Sequence, residues 1–393
     1  MARLLDGPDL AKGAESLQDH TRRLGPVPAL DQGFIATLGR TGATGRGGAS
    51  FPVATKWQAV ARHARRDVAI LVNGAECEPL SKKDRALMTT RPHLILDGAF
   101  VAARVLGARR VVVYIGERHS VASRAMQQAV AERPASERSL VSFEAAPARY
   151  VAGQEAAAIH LINEGIATPT TMPPYPFVRG IDRMPTLVHN VETLGQIALI
   201  ARTGDATGTV LITIAGAVPR PGVLEMSGTA TVGDAVKRAG GSIDGARAIL
   251  IGGYFGSWVD AGSAANLPLD AGILRTKGLN LGCGVIGVLA ESRCPVCEVA
   301  GMMRYLASES SAQCGPCFFG LRALSEACIR ISERGSNHED LNRLQRWAVD
   351  VRGRGACRHP DGAVSLLQSA MKTFAHEFGT HTPHRATQQI GAA

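Results

Sequence analysis

The sequence predicts a Rossmann-like α/β domain, then a small α+β module, then a helical C-terminal bundle. Three observations carry this. Apolar strand-like runs at 68–72 and 110–115 flank a helical stretch from His93 to Leu106, the alternation of a βαβ unit. A hairpin, helix, strand order fills residues 210–251. From Val299 onward apolar residues recur every three or four positions (Val299, Met302, Met303, Leu306; Leu321, Leu324, Cys328, Ile331), as in packed amphipathic helices.

Taken in order, residues 1–33 form a polar, irregular N-terminal extension, with one short helix expected between Asp9 and Arg23 and no function assigned. A helix is expected from Gln32 to Leu38. The stretch Thr44-Gly45-Arg46-Gly47-Gly48-Ala49-Ser50-Phe51-Pro52 then forms a loop with few side chains. Glycines there let backbone N–H groups approach a phosphate or a flat ring closely. A helix begins near Lys56, whose ammonium sits about one turn beyond the loop. It suits a phosphate or ring carbonyl, although most lone lysines are solvated. The strand Val68–Val72 runs into Asn73-Gly74-Ala75-Glu76-Cys77-Glu78-Pro79, and ligand sites of open α/β sheets lie at such strand ends. The alternative there is an Asx-turn with two exposed acids. Lys82-Lys83-Asp84-Arg85 reads as the start of a surface helix, and Ser142–Ala145 hints at a second βαβ unit. Gly153-Gln154-Glu155 opens an Ala-rich helix ending near Glu164-Gly165, a helix N-terminus suited to an anion or ring. Pro173-Pro174-Tyr175-Pro176 is a stiff loop, and Tyr175 either stacks on a ligand or packs among the prolines. His189-Asn190-Val191-Glu192-Thr193 closes the domain, with His189 read as a hydrogen-bonded structural residue.

A boundary is expected near Thr203–Ala206. Beyond it come the hairpin strands Val210–Gly216 and Pro221–Met226, the helix Thr231–Arg238 and the strand Ala248–Ile251. Nothing in this module looks chemical, and it reads as a spacer. The helical region holds Ser311, Cys314, Cys317 and, about forty residues on, Cys357. Cys294 and Cys297 form a separate C-x2-C. It sits roughly 15 Å of helix from the 311–317 loop, and reads as a strand-to-helix turn with buried thiols rather than a zinc half-site.

Composition narrows the class. Hydrophobic residues make up 45%, aromatics 5%, and there are 44 glycines, which suits an α/β enzyme rich in small residues. No apolar run reaches the roughly 18 residues of a membrane helix, and the N-terminus lacks an apolar signal core, so a cytoplasmic protein without a membrane span is expected. The net charge of +9 comes from scattered basic residues such as Arg62, Arg65 and Arg66, without basic–aromatic runs. That argues against nucleic acid and for docking of an acidic electron carrier. Eight cysteines in a chain of this length do not make a disulfide framework, and their spacing points to metal or to nothing.

The motif Gly45-Arg46-Gly47-Gly48-Ala49-Ser50-Phe51-Pro52-Val53-Ala54-Thr55-Lys56-Trp57 resembles the flavin loop of the FMN- and NADH-binding subunit of respiratory complex I, found also in NAD-linked hydrogenases and formate dehydrogenases. Asn73–Pro79 is closer in wording to a peripheral subunit of the Rnf electron-transport complex. The resemblance extends from about Ile35 to Glu377. It implies an FMN-binding domain over 34–204, a β-grasp module of the SLBB type over 205–290, a helical iron–sulfur domain over 291–380 and a disordered tail over 381–393. It further implies that FMN and NAD(P)H are met by Gly45, Arg46, Gly47, Gly48, Phe51, Lys56, Asn73, Glu76, Glu78, Gly153, Glu155, Tyr175, Asn190 and Thr193. The flavin carries the chemistry, so no side chain is expected to be catalytic.

The family's Glu-Ser-Cys-Gly-Gln-Cys-x-Pro-Cys motif with its distant fourth cysteine holds a [4Fe–4S] cluster. Here Cys314, Cys317 and Cys357 match three ligands and Ser311 stands at the fourth, which implies a [4Fe–4S] cluster with serine, water or another residue on its fourth iron, or a three-iron cluster. Other departures fall mainly on the nucleotide side: Ala59 for a phenylalanine, Ala75 and Gln154 for acids, Met172 for a lysine. Two functions remain open at this point, ranked ahead of a cofactor-poor assembly subunit that keeps the fold for packing alone. One is an oxidoreductase subunit that takes hydride from NAD(P)H and passes single electrons through the cluster to a redox partner in a hetero-oligomer. The other is an adaptor that binds no pyridine nucleotide and exchanges electrons with a ferredoxin or another subunit.

Overall fold

A computed structural model of the chain describes residues 3–64 and 67–384. Arg65, Arg66 and most of the expected tail, from residue 385 on, lie outside the described residues. The chain divides into two compact units. One comprises the chain up to Cys77 together with Lys82–Leu211, and the other Glu78–Ser81 together with the chain from Ile212 onward.

The first unit is built on four parallel strands: β1 (Val68–Gly74), β2 (Ala108–Gly116), β3 (Val141–Ala146) and β4 (Thr186–Asn190). Their spatial order is β3-β2-β1-β4. β1 is nearly all apolar because both its faces are covered, as parallel sheets require. Its register with β4 places Asn73 beside Asn190 at the C-terminal ends of the two strands. The chain leaves β1 toward β2 and reaches β4 from β3, so the crevice beyond β1 and β4 is a topological switch point.

Helix Pro92–Leu106 is buried along almost its whole length, starting on a proline and ending on Gly107 in the left-handed conformation. It crosses helix Val191–Thr203 so closely that a Cβ on Gly98 would lie 2.0 Å from the Leu194 carbonyl oxygen. Leu94, Ile95, Leu194 and Ile197 fill the surrounding core, each fully buried side chain contributing about 1.5–3 kcal/mol. In the N-terminal extension, a helix over Leu17–Leu24 is capped by Ser16.

The second unit carries the five-stranded sheet β6-β5-β9-β7-β8. Its strands are β5 (Thr209–Gly216, of which Ile212 onward belongs to this unit), β6 (Gly222–Ser227), β7 (Ala246–Ile251), β8 (Ser257–Asp260) and β9 (Val285–Ala290). β5 and β9 run parallel, while β7 is antiparallel to both β8 and β9. The helix Val232–Arg238 packs in this module, its start fixed by a reciprocal capping box between Thr231 and Asp234. Helices Pro295–Ser308, Leu321–Arg334, His338–Val351, His359–Thr373 and Ala375–Thr380 complete the unit. The first two bury the three-and-four-spaced residues that the sequence marked out: Val299, Met302, Met303 and Leu306, then Leu321, Leu324, Cys328 and Ile331.

Candidate functional site

The glycine-rich loop is a closed hairpin-like turn. Thr44 bridges Pro52, Gly45 N–H donates to the Phe51 carbonyl at 2.8 Å, and Val53 N–H donates to Ala43 at 2.9 Å. Gly48 has φ +117°, which a side chain tolerates poorly, and a Cβ on Gly47 would press on the Asn190 Cβ at 3.3 Å. The loop therefore lies against the C-terminal end of β4. It is pinned there by a hydrogen bond from Arg46 N–H to the Thr193 hydroxyl at 2.9 Å. A backbone-walled cradle at a switch point fits a flavin mononucleotide, whose phosphate and ring need close backbone approach.

Beneath the loop lies a buried charged network that corrects the surface-helix reading of residues 82–85. Lys83 Nζ stands 2.6 Å from Asp84 Oδ1 and 2.9 Å from Glu192 Oε2, with its side chain 1% exposed. Asn190 joins it, donating to Asp84 Oδ2 at 2.6 Å, and its Oδ1 caps the Glu192 N–H. Burial alone would lower the Lys83 pKa, but the carboxylates of Asp84 and Glu192 outweigh it and hold the ammonium charged. Burial pushes the Asp84 carboxyl up to about 6, against the pull of Lys83. The Arg46 side chain reaches the same cluster through Gln196 at 3.4 Å and Glu192 at 3.9 Å, so this guanidinium is partly buried structure. Glu76, at φ +42°, accepts from the N–H groups of Asp84 and Arg85 and caps the helix Lys83–Thr90. No local signal announces this network, because Lys-Lys-Asp-Arg has the composition of a solvated helix start.

The remaining expected residues of the first unit gather at the same strand ends. Lys56 Nζ donates to Glu155 Oε2 at 2.7 Å and to the Val188 carbonyl at 3.0 Å. Asn73 donates to the Gly153 carbonyl at 2.9 Å, tying β1 to the start of the Ala-rich helix Glu155–Glu164. Phe51 is half exposed, and so is Tyr175, whose ring stacks on Phe177 at 5.4 Å rather than on proline. His189 is buried and accepts a hydrogen bond from Trp57 Nε1–H at 2.9 Å. Burial, with Lys56 nearby, holds its pKa well below the usual histidine range, which fits the structural role expected of it. Glu78 belongs to the second unit, where it accepts from Tyr254 N–H at 3.0 Å. A hollow of about 560 Å³ between His160, Asn163, Arg179 and Asp182 shares no residue with this set.

In the second unit, Cys317 sits in a five-residue π-type turn, Pro316–Gly320, that runs directly into helix Leu321–Arg334. Such turns recur at functional sites. Its thiol is buried and hydrogen-bonded to Cys357 and to the Ser310 hydroxyl, with Cys314 close by. The bond to Cys357, together with burial, pushes the Cys317 thiol up. Cys357 and Cys314 both act on the Cys317 thiol, and a set of thiol donors suits iron–sulfur chemistry. Ser310, which the sequence did not single out, stands nearer the thiols than a motif alignment suggests, and Ser311 is half-buried beside it. Gly320 has no room for a side chain, since a Cβ would meet Val351 at 2.4 Å.

Cys294 and Cys297 sit at the start of helix Pro295–Ser308, the strand-to-helix turn expected of them, but as half-buried thiols rather than buried ones. They face His381 and His384, the first residues of the segment expected to be disordered.

Residues 38–199 match the family profile described as the Nuo51 FMN-binding domain, 211–253 the SLBB domain, and 298–381 the NADH-ubiquinone oxidoreductase-F iron-sulfur binding region. Fold and matches define an oxidoreductase subunit with a parallel α/β FMN domain, an SLBB domain and a helical iron–sulfur region. The chain is 30% identical over 367 residues to the NADH-quinone oxidoreductase F-subunit 2 of Rhizobium meliloti (strain 1021), covering 87% of this chain and 86% of the relative. It is 31% identical over 397 residues to the NADH-quinone oxidoreductase F-subunit of Salmonella typhimurium (strain LT2), covering 91% and 86%. The chain belongs to the F-subunit family of the NADH-quinone oxidoreductases. Among solved structures, it superposes on a chain of the NAD+-reducing [NiFe]-hydrogenase in the H2-reduced state with TM-score 0.79 and 28% identity. That match covers 90% of this chain but only 63% of the hydrogenase chain, less than two thirds of it. No helix among the described residues is long and apolar enough to cross a membrane.

Proposed function

We propose that this chain is the electron-entry component of a multisubunit oxidoreductase, taking electrons from NAD(P)H and delivering them singly to a partner. One observation carries the reading: a backbone-walled glycine loop is pinned over the ends of β1 and β4 by Thr193 and Asn190. When bound there, FMN would accept two electrons as hydride and release them one at a time. Gly45, Gly47 and Gly48 admit it. Arg46 and Thr193 hold the loop closed. Asn73, Gly153 and Asn190 present polar edges at the strand ends, and Glu76 fixes the helix that carries Lys83. Lys56, held by Glu155, places a positive charge beside the crevice without needing to be solvated. Phe51 and Tyr175 remain exposed enough for a nucleotide to stack on them.

In the second unit, Cys314, Cys317 and Cys357 would hold an iron–sulfur cluster, with Ser311 at the fourth position. The rim of this site favours an acidic redox partner such as a ferredoxin-like protein or another redox subunit. Arg352, Arg354 and Arg358 are exposed around Cys357, and Phe318 and Phe319 are exposed beside Cys317. Charge of this kind steers association, so electron delivery should slow as salt rises. The assignment divides the chain into an FMN domain over 34–204, a spacer over 205–290 and a cluster domain over 291–380, in a cytoplasmic protein.

A second reading, the adaptor without pyridine nucleotide, is favoured by Ala75 and Gln154, which remove two acidic groups beside the crevice. The test is a titration of the purified protein with NADH and with NADPH under anaerobic conditions. Stoichiometric loss of flavin absorbance supports the dehydrogenase. Bleaching by dithionite or reduced ferredoxin alone supports the adaptor.

A further inference from the structure

Cys294, Cys297, His381 and His384 bring one ligand atom each to within 4.8 Å of one another. We propose that these four side chains form a structural zinc site of the Cys2His2 type that clamps the His381–His384 segment to the start of helix Pro295–Ser308. Cys294 Sγ lies 3.8 Å from His381 Nδ1, and Cys297 Sγ lies 3.7 Å from His384 Nε2. A tetrahedral zinc with bonds of about 2.3 Å to sulfur and about 2.0–2.1 Å to nitrogen sets sulfur and nitrogen roughly 3.5–3.6 Å apart. The four atoms therefore need to close by only a few tenths of an ångström on those edges.

Both imidazoles are already in the tautomer a metal needs. His381 Nε2 is 3.1 Å from the Ser332 carbonyl, an acceptor only, so the proton sits on Nε2 and the Nδ1 lone pair faces Cys294. His384 Nδ1 is 3.2 Å from the Thr382 carbonyl, which leaves the Nε2 lone pair facing Cys297. Carbonyl partners of this kind orient histidine ligands in metal sites. The backbone of His381 is fixed as well: its N–H donates to the Ser336 hydroxyl and its carbonyl accepts from Ser336 N–H, both at 2.9 Å. The sulfurs sit at a helix N-terminus, where the Cys297 N–H already donates to Cys294 Sγ at 3.4 Å and a thiolate is favoured. Zinc(II) replaces the two thiol protons, which leave to solvent, and the resulting Zn(Cys⁻)2(His)2 centre is neutral. The helix of 14 residues that starts here is roughly 20 Å long, which separates this centre from the Cys314–Cys317 loop at its far end.

The test is elemental analysis of zinc and iron in the full chain after removal of loosely bound metal by chelator. Wild type is expected to retain one zinc per chain. Cys294→Ser/Cys297→Ser should lose it with iron unchanged, and Cys314→Ser/Cys317→Ser/Cys357→Ser should lose iron and keep zinc. His384→Ala is exposed and should fold normally, and it should weaken zinc at least about tenfold in competition with a chromophoric chelator. Three results would overturn the proposal: zinc that leaves with the cluster cysteines, His384→Ala binding as tightly as wild type, or a chain that binds no added zinc and yields a Cys294–Cys297 disulfide by mass spectrometry.

Discussion

Replacing Lys83 by methionine keeps the length of the side chain and removes its charge. In the folded protein that charge sits 2.6 Å from Asp84 and 2.9 Å from Glu192, and both the lysine and Glu192 are 1% exposed. Removing one partner of a buried ion pair costs about 3–5 kcal/mol. Protonation sets a similar figure. The stranded carboxylates can be relieved by protonating one of them, which for an acid with an unfolded pKa near 3.9 costs about 4 kcal/mol at pH 7.

The pH dependence follows from the sign of the shift. Asp84 has a folded pKa raised from 3.8 to about 6, so the folded chain binds the extra proton between those values. Stability from this group is full below the unfolded pKa and is lost as pH rises to the folded one. Without Lys83 the folded pKa rises further, and the loss extends above pH 6. The deficit of Lys83→Met should therefore be about 4 kcal/mol at pH 7 and should shrink by up to about 1.4 kcal/mol per unit toward pH 6. Urea unfolding reads this through the fluorescence of Trp57, which is fully buried in the same unit, in a background with Trp258 and Trp347 replaced by phenylalanine. A deficit below about 1 kcal/mol that is equal at both pH values would refute the buried network.

Four further variants have expected outcomes. His189→Phe should flatten the loss of stability below pH 6.5: burial, then Lys56, lowers the folded pKa of His189, so acid favours the unfolded chain by up to about 1.4 kcal/mol per unit. The same variant should cost about 1–3 kcal/mol at neutral pH by orphaning Trp57 Nε1–H, and urea midpoints between pH 5 and 7 measure both effects. Gly98→Ala should destabilise by about 3 kcal/mol or more, since the Leu194 backbone must retreat, whereas Gly48→Ala should cost about 1–3 kcal/mol of strain and weaken FMN retention; thermal melts and flavin-release fluorescence separate the two. Ser311→Cys should prolong the survival of the iron–sulfur centre in air and raise its midpoint potential, followed by iron and sulfide content and by redox titration; an unchanged potential would remove Ser311 from the fourth position.

Much of the architecture was legible because it rests on local signals. The apolar run at 68–72, the helix ending on Gly107 and the three-and-four spacing from Val299 each declare an element without reference to the rest of the chain. The glycine loop was legible as a bare-backbone loop, since Gly45, Gly47 and Gly48 fall within six residues, though such loops are as often plain turns as binding sites. What escaped was whatever depends on distant residues meeting. Lys83 and Asp84 looked like a solvated helix start, and only the return of the chain at Asn190 and Glu192 buries them. Ser310 was passed over because motif alignment counts positions and not rotamers. Cys294 and Cys297 looked like an isolated pair because their histidines lie over eighty residues away, in a stretch whose polarity suggests disorder.

The most direct test of the central claim is an anaerobic absorption spectrum of the purified protein, recorded before and after adding NADH. Flavin bands with a broad iron–sulfur shoulder, both bleached by NADH, are the predicted result. A protein that stays colourless after reconstitution with FMN, iron and sulfide would contradict it.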